Sequence, residues 1–261
     1  MKIYINSGVR PDSDGDYIFD FTMNLPEDII KIQPPQIYKS SIQNHIYWFG
    51  YTFADTASSK QRSDFIHYIK GLTDKKITPS VLRQFIELPL GEVDKMVNMH
   101  RIDSLVYPTS GRSKLVNSII DVIDRYTSRD MKNCSYELVK SAPTDIEFDF
   151  DALERDTGDD LNQYNQMRKY AETVILPAIH RLDYFSLAQN VKPKYRKYIT
   201  NFLKFADPET AERYSRLQGN NILVVDDINT SVATLDEIIR ILDKVNSNCN
   251  IFIFTLIGNF N

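Results

Sequence analysis

Two adjacent aspartates followed by hydroxyl side chains form the part of this chain best suited to chemistry. Residues 222–235 read Ile-Leu-Val-Val-Asp-Asp-Ile-Asn-Thr-Ser-Val-Ala-Thr-Leu. Asp226 and Asp227 follow an apolar run that indicates a buried strand, and a helical pattern of apolar residues begins at Leu235. Because ligands of parallel α/β sheets bind beyond the carboxyl ends of the strands, we expect both carboxylates to lie in a ligand site.

The residues after the two aspartates suit an anion. The unpaired N–H groups of a first helical turn and the helix dipole favour negative charge, and Thr230, Ser231 and Thr234 add hydroxyl donors. A phosphate fits this loop, whereas the aspartates would repel it. We therefore expect the carboxylates to accept hydrogen bonds from sugar hydroxyls, or to hold a hydrated divalent cation, on the far side of the ligand.

Other interpretations of this string are weaker. Helix capping alone would explain Asp226, Thr230 and Ser231 if the rest of the string were absent. A receiver domain that began at Ile222 would have too little chain after it. A nucleotide-hydrolysing Walker B strand would need an upstream Gly-x-x-x-x-Gly-Lys-Ser/Thr loop, which does not occur.

Residues 222–235 resemble the phosphoribosyl-pyrophosphate binding motif of the type I phosphoribosyltransferases. That motif has four apolar strand residues, two acidic residues, two variable positions, Thr-Thr/Ser, Gly, a small residue and Thr. The resemblance implies that Asp226 and Asp227 are the catalytic pair and contact the ribose. The implied 5-phosphate loop is Asn229, Thr230, Ser231, Val232, Ala233 and Thr234, and the implied pyrophosphate loop is Thr109, Ser110, Gly111 and Arg112.

The resemblance extends over residues 102–258 and implies an enzyme that transfers a phosphoribosyl group to a nitrogen nucleophile and releases pyrophosphate. It also implies Mg²⁺, bound through the diphosphate and the ribose and not by direct side-chain ligation. Arg112 suits a bidentate phosphate contact. Residues 109–112 taken alone fit an ordinary turn equally well.

Val232 stands where the family motif has glycine. A β-branched residue at positive φ would be strained by about 1–2 kcal/mol, so either the loop has negative φ here or its hold on phosphate differs. This departure favours an alternative, a non-catalytic nucleotide sensor, regulator or partner-binding module with the same fold. Hydrolysis of a related phosphoribosyl or nucleotide compound is a third reading.

Three basic residues outside the motif are further candidates for phosphate contacts, namely Lys140, Lys194 and Arg196. Lys140 follows a predicted strand, and the other two precede an apolar stretch. Each also fits a lysine or arginine on a solvated face. The acidic residues between Asp145 and Asp160 are interpreted as a solvated connector or lid.

Apolar strands that alternate with amphipathic helices predict an α/β fold, in which a mostly parallel sheet has helices on both faces. The resemblance implies that this fold is of the phosphoribosyltransferase-like type and follows an N-terminal α/β elaboration. We expect an N-terminal region at 1–100 and a main domain at 101–261 with a helical insertion at about 150–220. Predicted strands are 3–6, 17–22, 46–51, 105–107, 136–139, 222–225 and 251–257. Predicted helices begin near 59 and 78 and include 115–126, 162–182, 194–205 and 235–242.

Composition restricts the class of protein. Of 261 residues, 42% are hydrophobic and 25% charged, and the net charge of −4 with no basic-aromatic stretch does not predict nucleic acid as a partner. Two distant cysteines and four scattered histidines predict neither a disulfide framework nor zinc. Without a signal-peptide pattern or a long apolar run, we expect a cytoplasmic protein that does not enter a membrane. Residues 1–100 are the expected surface for a second copy or a protein partner.

Overall fold

The structure, a computed structural model, describes residues 8–14, 16–21, 25–32, 38–39, 45–90, 97–109, 113–127, 131, 134–229 and 232–258. The strands are β1 (Gly8–Pro11), β2 (Tyr17–Asp20), β3 (Ile30–Ile32), β4 (Tyr38–Lys39), β5 (Ile46–Phe53), β6 (Ser104–Pro108), β7 (Ser135–Lys140), β8 (Glu147–Phe148), β9 (Ile199–Thr200), β10 (Leu203–Phe205), β11 (Asn221–Asn229) and β12 (Asn250–Gly258). The helices used below are α1 (Ser59–Ile69), α2 (Pro79–Leu90), α3 (Leu115–Tyr126), α4 (Phe150–Thr157), α5 (Leu161–Tyr170), α6 (Leu176–His180), α7 (Leu187–Asn190), α8 (Pro208–Ser215) and α9 (Ala233–Val245).

The centre of the fold is a parallel sheet. Its strands lie in the order β7-β6-β11-β12-β5, and every neighbouring pair in this run is parallel. Antiparallel strands extend both edges: β10 pairs with β7, and β3 and β4 pair with β5. β1 and β2 continue the sheet beyond β3. The protein is therefore an α/β protein with a mixed sheet whose core is parallel.

Helices cover both faces of this sheet. Along β11, Ile222 and Val224 pack with α8 and α9 on one face, while Leu223 and Val225 pack with α1, α2 and α3 on the other. Burial of one such side chain is worth about 1.5–3 kcal/mol, and strands buried on both faces are near-continuously apolar. The apolar run before the two aspartates is thus explained by the two helical layers.

The strand order creates a crevice between β6 and β11. From β6 the chain passes through α3 to β7 on one side, and from β11 it passes through α9 to β12 on the other side. At such a reversal the loops after the two central strands separate, and ligands of α/β sheets bind there. The loops after Pro108 and Asn229 are the two loops that the sequence motifs single out.

The sheet crosses the boundary predicted near residue 100. β5 pairs in parallel with β12, with Trp48 opposite Phe254 and Phe49 opposite Thr255. Tyr47, Trp48 and Phe49 are at most 3% exposed, so these aromatics belong to the core and not to a surface.

The helical starts near 59 and 78 are confirmed. Ser58 caps α1, and Ser58 and Gln61 form the reciprocal hydrogen bonds of a capping box. Gly71, with φ +67°, follows the end of this helix in the left-handed region that glycine tolerates. α2 begins at Pro79, as expected for proline at a first helical position. The strand predicted at 3–6 lies outside the described residues.

The helix predicted at 194–205 is wrong. The structure has a 3₁₀ helix, Pro193–Tyr198, followed by β9 and β10. β10 pairs antiparallel with β7, with Leu203 opposite Lys140. Leu203 and Phe205 are buried while Lys204 is exposed, which is the two-residue period of a strand at a sheet edge.

The region between β7 and β11 is largely helical, and its acidic residues have specific places. Asp149 Oδ1 accepts from the Ala152 N–H at 2.8 Å and caps α4, and Asp160 Oδ1 accepts from the Gln163 N–H at 2.9 Å and caps α5. The π-helical segment Ala171–Ile175 joins α5 to α6 just before Pro177, which lacks an N–H. Among the described residues, none of the helices has the length and apolarity needed to span a membrane.

Candidate functional site

A cavity of about 230 Å³ lies where the carboxyl ends of β6, β7 and β11 meet. The end of α1, the start of α9 and the segment around α7 complete its walls. Of the residues predicted from the sequence, the cavity is lined by Asp226, Asp227, Thr109, Thr234 and Lys140. The structure thus brings Thr109, the first residue of one predicted loop, to the same cavity as Asp226, Asp227 and Thr234, which lie more than a hundred residues further along the chain.

Asp226 and Asp227 occupy the floor of this cavity at the end of β11. Both are buried, and the Asp227 N–H donates to Asp226 Oδ1 at 2.8 Å. Burial and the neighbouring Asp227 carboxylate raise the pKa of Asp226 to about 7. Asp226 therefore changes its charge near neutral pH, and in its neutral form it can both donate and accept a hydrogen bond.

Lys70 pairs with Asp227. Its Nζ lies 2.9 Å from Oδ1 and 2.9 Å from Oδ2 of the carboxylate. Burial alone would lower the pKa of Lys70, but Asp227 and then Asp226 together raise it above the usual value. No local sequence pattern marks Lys70 as a site residue, because it lies 157 positions from Asp227 and outside the span of the family resemblance.

Lys140 is the second ammonium group of the cavity. It ends β7, donates to the Phe185 carbonyl at 2.9 Å and lies 5.2 Å from the centre of the Tyr184 ring. Burial lowers the pKa of Lys140, because the charged ammonium group loses hydration when it is buried. A lysine here can still offer N–H donors to an anion that enters the cavity.

The other two basic candidates have different surroundings. Arg196 donates to the backbone carbonyls of Val191 at 2.9 Å and Ala188 at 2.8 Å. Lys194 lies over the Tyr195 ring at 4.7 Å. The structure does not place either among the residues that line the cavity, and Arg196 supports the backbone of the wall around α7.

The two predicted loops are described only at their ends. Ser110, Gly111, Arg112, Thr230 and Ser231 lie outside the described residues, as does the side chain of Asn229. Thr109 Oγ1 donates to Glu137 Oε1 at 2.7 Å, which fixes the first residue of the predicted pyrophosphate loop. Ala233 is buried at the start of α9, and Thr234 lines the cavity. The helix N-terminus that would favour a phosphate is therefore at the cavity wall.

Val232 has right-handed helical backbone angles. Its φ is −59° and its ψ is −13°, and its side chain is 42% exposed. Because φ is negative, the valine avoids the strain that it would have in the left-handed region. Of the two outcomes open from the sequence, negative φ is the one that the structure shows at this position.

This backbone geometry predicts the effect of restoring the family's glycine. Val232→Gly should lower the free energy of unfolding by about 0.5–1 kcal/mol, because glycine gains freedom in the unfolded chain and relieves no strain here. Urea unfolding measures the change, with Val232→Ala as the control that removes the branch without adding flexibility. A clear gain in stability from glycine would show that valine is strained.

The arrangement combines two carboxylates, two ammonium groups and a helix N-terminus around one cavity. Carboxylates accept hydrogen bonds from hydroxyl groups, whereas ammonium groups and a helix N-terminus favour anions. A phosphorylated sugar carries both kinds of group and is chemically suited to this cavity. Within the described residues, no cluster of three or more His, Cys, Asp or Glu side chains is arranged to hold a metal ion. A scan against models of known protein families and a search of curated proteins found no match to this chain.

Proposed function

We propose that this protein binds phosphoribosyl pyrophosphate, or a related nucleotide 5-phosphate, and transfers the phosphoribosyl group to a nitrogen nucleophile with release of pyrophosphate. The observation that carries the proposal is the position of Asp226, Asp227 and Thr234 in one cavity at the crevice between β6 and β11. The resemblance of residues 222–235 to the family motif supports the same ligand.

Each wall of the cavity has a task in this proposal. Asp226 and Asp227 accept the ribose hydroxyls, and the start of α9 with Thr230, Ser231 and Thr234 holds the 5-phosphate. The loop at 109–112 receives the pyrophosphate group, and Lys140 offers an ammonium group to the same ligand. Mg²⁺ bound together with the ligand, without direct side-chain ligands, would neutralise charge that develops on the leaving group.

In the reaction, the bond between the anomeric carbon and the pyrophosphate oxygen breaks while the nitrogen lone pair forms a new bond to that carbon. Pyrophosphate leaves with the electron pair of the broken bond. Positive charge develops on the sugar ring, and the nearby carboxylates stabilise it. The chemistry needs no nucleophilic side chain, only groups that orient the ribose and both phosphates.

The second candidate function is a sensor or regulator that binds the same ligand without turnover. Val232 favours it, because a branched and half-exposed side chain stands within the proposed phosphate loop where the family has glycine. A side chain there can alter the fit of the 5-phosphate without affecting the fold.

Calorimetry with phosphoribosyl pyrophosphate and Mg²⁺, followed by a pyrophosphate-release assay with a panel of nitrogenous bases, separates the two functions. Turnover with any base supports the transferase, and binding without turnover supports the sensor. Release of pyrophosphate without an acceptor indicates hydrolysis. Absence of binding at millimolar ligand would contradict both proposals.

A further inference from the structure

We propose that Lys70 is a positioning residue of this site: from the end of α1, its ammonium group orients the Asp227 carboxylate to accept hydrogen bonds from ribose hydroxyls and supplies positive charge beside the two carboxylates. The inference rests on the proposed function, because it assigns a task at the same cavity. It makes the region before residue 100 part of the ligand site, although that region lies outside the resemblance to the family.

The position of Lys70 is fixed by its helix. Its backbone N–H donates to the Ile66 carbonyl at 3.1 Å, and the N–H of the following Gly71 donates to the Tyr68 carbonyl at 3.0 Å. Phe65, Tyr68 and Ile69 bury this helix against the sheet face that carries Leu223 and Val225. The side chain therefore starts from a rigid point, and its Nζ reaches both oxygens of Asp227 at 2.9 Å.

The ion pair leaves room for a ligand. An ionised carboxylate has about four lone-pair sites on its two oxygens, and one ammonium group occupies no more than one site on each oxygen. Lys70 and Asp227 both line the cavity, and the Lys70 side chain keeps 24% of its surface exposed. Asp227 can thus contact Lys70 and a sugar hydroxyl at the same time.

The charges around the pair explain why an ammonium group is needed. Asp226 lies next to Asp227 in the chain, Lys140 acts electrostatically on Asp226, and Tyr184 acts electrostatically on Lys70. Two buried carboxylates in contact repel each other, and one of them is protonated unless a cation compensates. The ammonium group of Lys70 lowers the pKa of Asp226, opposing burial and the charge of Asp227.

A purely structural role explains the pair less well. α1 is already held by the apolar contacts of Phe65, Tyr68 and Ile69, and a buried ion pair adds little net stability compared with an apolar replacement of similar volume. Methionine at position 70 can fill much of the same space. Lys70→Met leaves the carboxylates without their cation and should be less stable than the wild type, because one partner of a buried pair remains, so circular dichroism checks that the variant is folded before its binding is measured.

The test compares Lys70→Met, Lys70→Arg and the exposed control Lys76→Met by calorimetry with phosphoribosyl pyrophosphate and Mg²⁺. In metal sites, partners that orient ligating groups contribute about 10- to 100-fold, and we expect Lys70→Met to weaken binding by about tenfold near pH 7. The loss should shrink as pH rises, because a higher pH favours ionisation of Asp226 in the variant. Lys70→Arg keeps the charge and should retain most of the affinity, and Lys76→Met should match the wild type.

Equal affinity of Lys70→Met and the wild type would overturn the inference, as would a loss that is independent of pH and not rescued by arginine. If the wild type itself does not bind, the proposed function fails, and a titration of the Asp226 carboxyl carbon by NMR in the free protein decides the role of Lys70. A higher pKa of Asp226 in Lys70→Met supports the inference. An unchanged value contradicts it.

Discussion

The double variant Asp226→Asn with Asp227→Asn is expected to lose binding of phosphoribosyl pyrophosphate by more than about 100-fold and to remain folded. Each asparagine replaces a charged acceptor with a neutral amide, and hydrogen bonds to charged groups contribute about 1.5–3 kcal/mol each. The fold should persist because Asp226 is already costly to ionise in its buried position, and Lys70, with 24% of its side chain exposed, can turn to water.

Calorimetry measures the loss, and circular dichroism checks the fold. The matched control is Asp55→Asn with Asp159→Asn, which removes two exposed carboxylates away from the cavity and should bind as the wild type does. Binding by the double variant at the wild-type affinity would remove these two residues from the site.

The free energy of unfolding should depend on pH through Asp226, and because this carboxyl is buried, it should fall as pH rises. The pKa of Asp226 is about 7 in the folded protein, compared with an ordinary value of 3.8. Because the pKa is raised in the folded state, the native protein holds this proton more tightly than the unfolded chain does. The contribution of Asp226 to the free energy of unfolding is therefore fully present below about pH 4 and is lost as pH rises through about 7. One unit of pKa shift corresponds to about 1.4 kcal/mol. The free energy of unfolding of the wild type should therefore fall by about 4 kcal/mol between about pH 4 and about pH 8 through this group.

Asp226→Asn removes that dependence because the amide cannot ionise. We expect the variant and the wild type to have similar free energies of unfolding near pH 4 and the variant to be more stable by about 4 kcal/mol near pH 8. Urea unfolding at several pH values measures the difference in free energy of unfolding between the variant and the wild type. All other titrating groups are common to both proteins, so their effects largely cancel in this difference. A variant that is less stable than the wild type at pH 8 would show that the ionised carboxylate is favoured by the fold.

The part of the site that lies on β11 and α9 was predictable because its signal is local. Four apolar residues before Asp226, hydroxyl residues after Asp227 and apolar side chains at helical spacing from Leu235 are all contained in residues 222–245. The structure has β11 and α9 at these places. The physical rules that apply, burial of a strand on two faces and the anion preference of a helix start, concern neighbours in the chain.

The features that were missed depend on contacts between distant segments. β10 is a strand because β7 offers an edge for Leu203 to pair with, and residues 193–205 taken alone fit a helix as readily. Lys70 reaches Asp227 only because α1 packs beside the end of β11. The pairing of β5 with β12, which joins the N-terminal region to the central sheet, likewise has no signature within either strand.

The most direct test of the proposed site is a crystal structure of the protein grown with phosphoribosyl pyrophosphate and Mg²⁺. We expect the ribose hydroxyls within hydrogen-bond distance of Asp226 and Asp227, the 5-phosphate at the start of α9 beside Thr234, and the diphosphate toward the loop that begins at Thr109. Clear density for the ligand at another place on the protein, with the cavity between β6 and β11 free of it, would contradict the assignment.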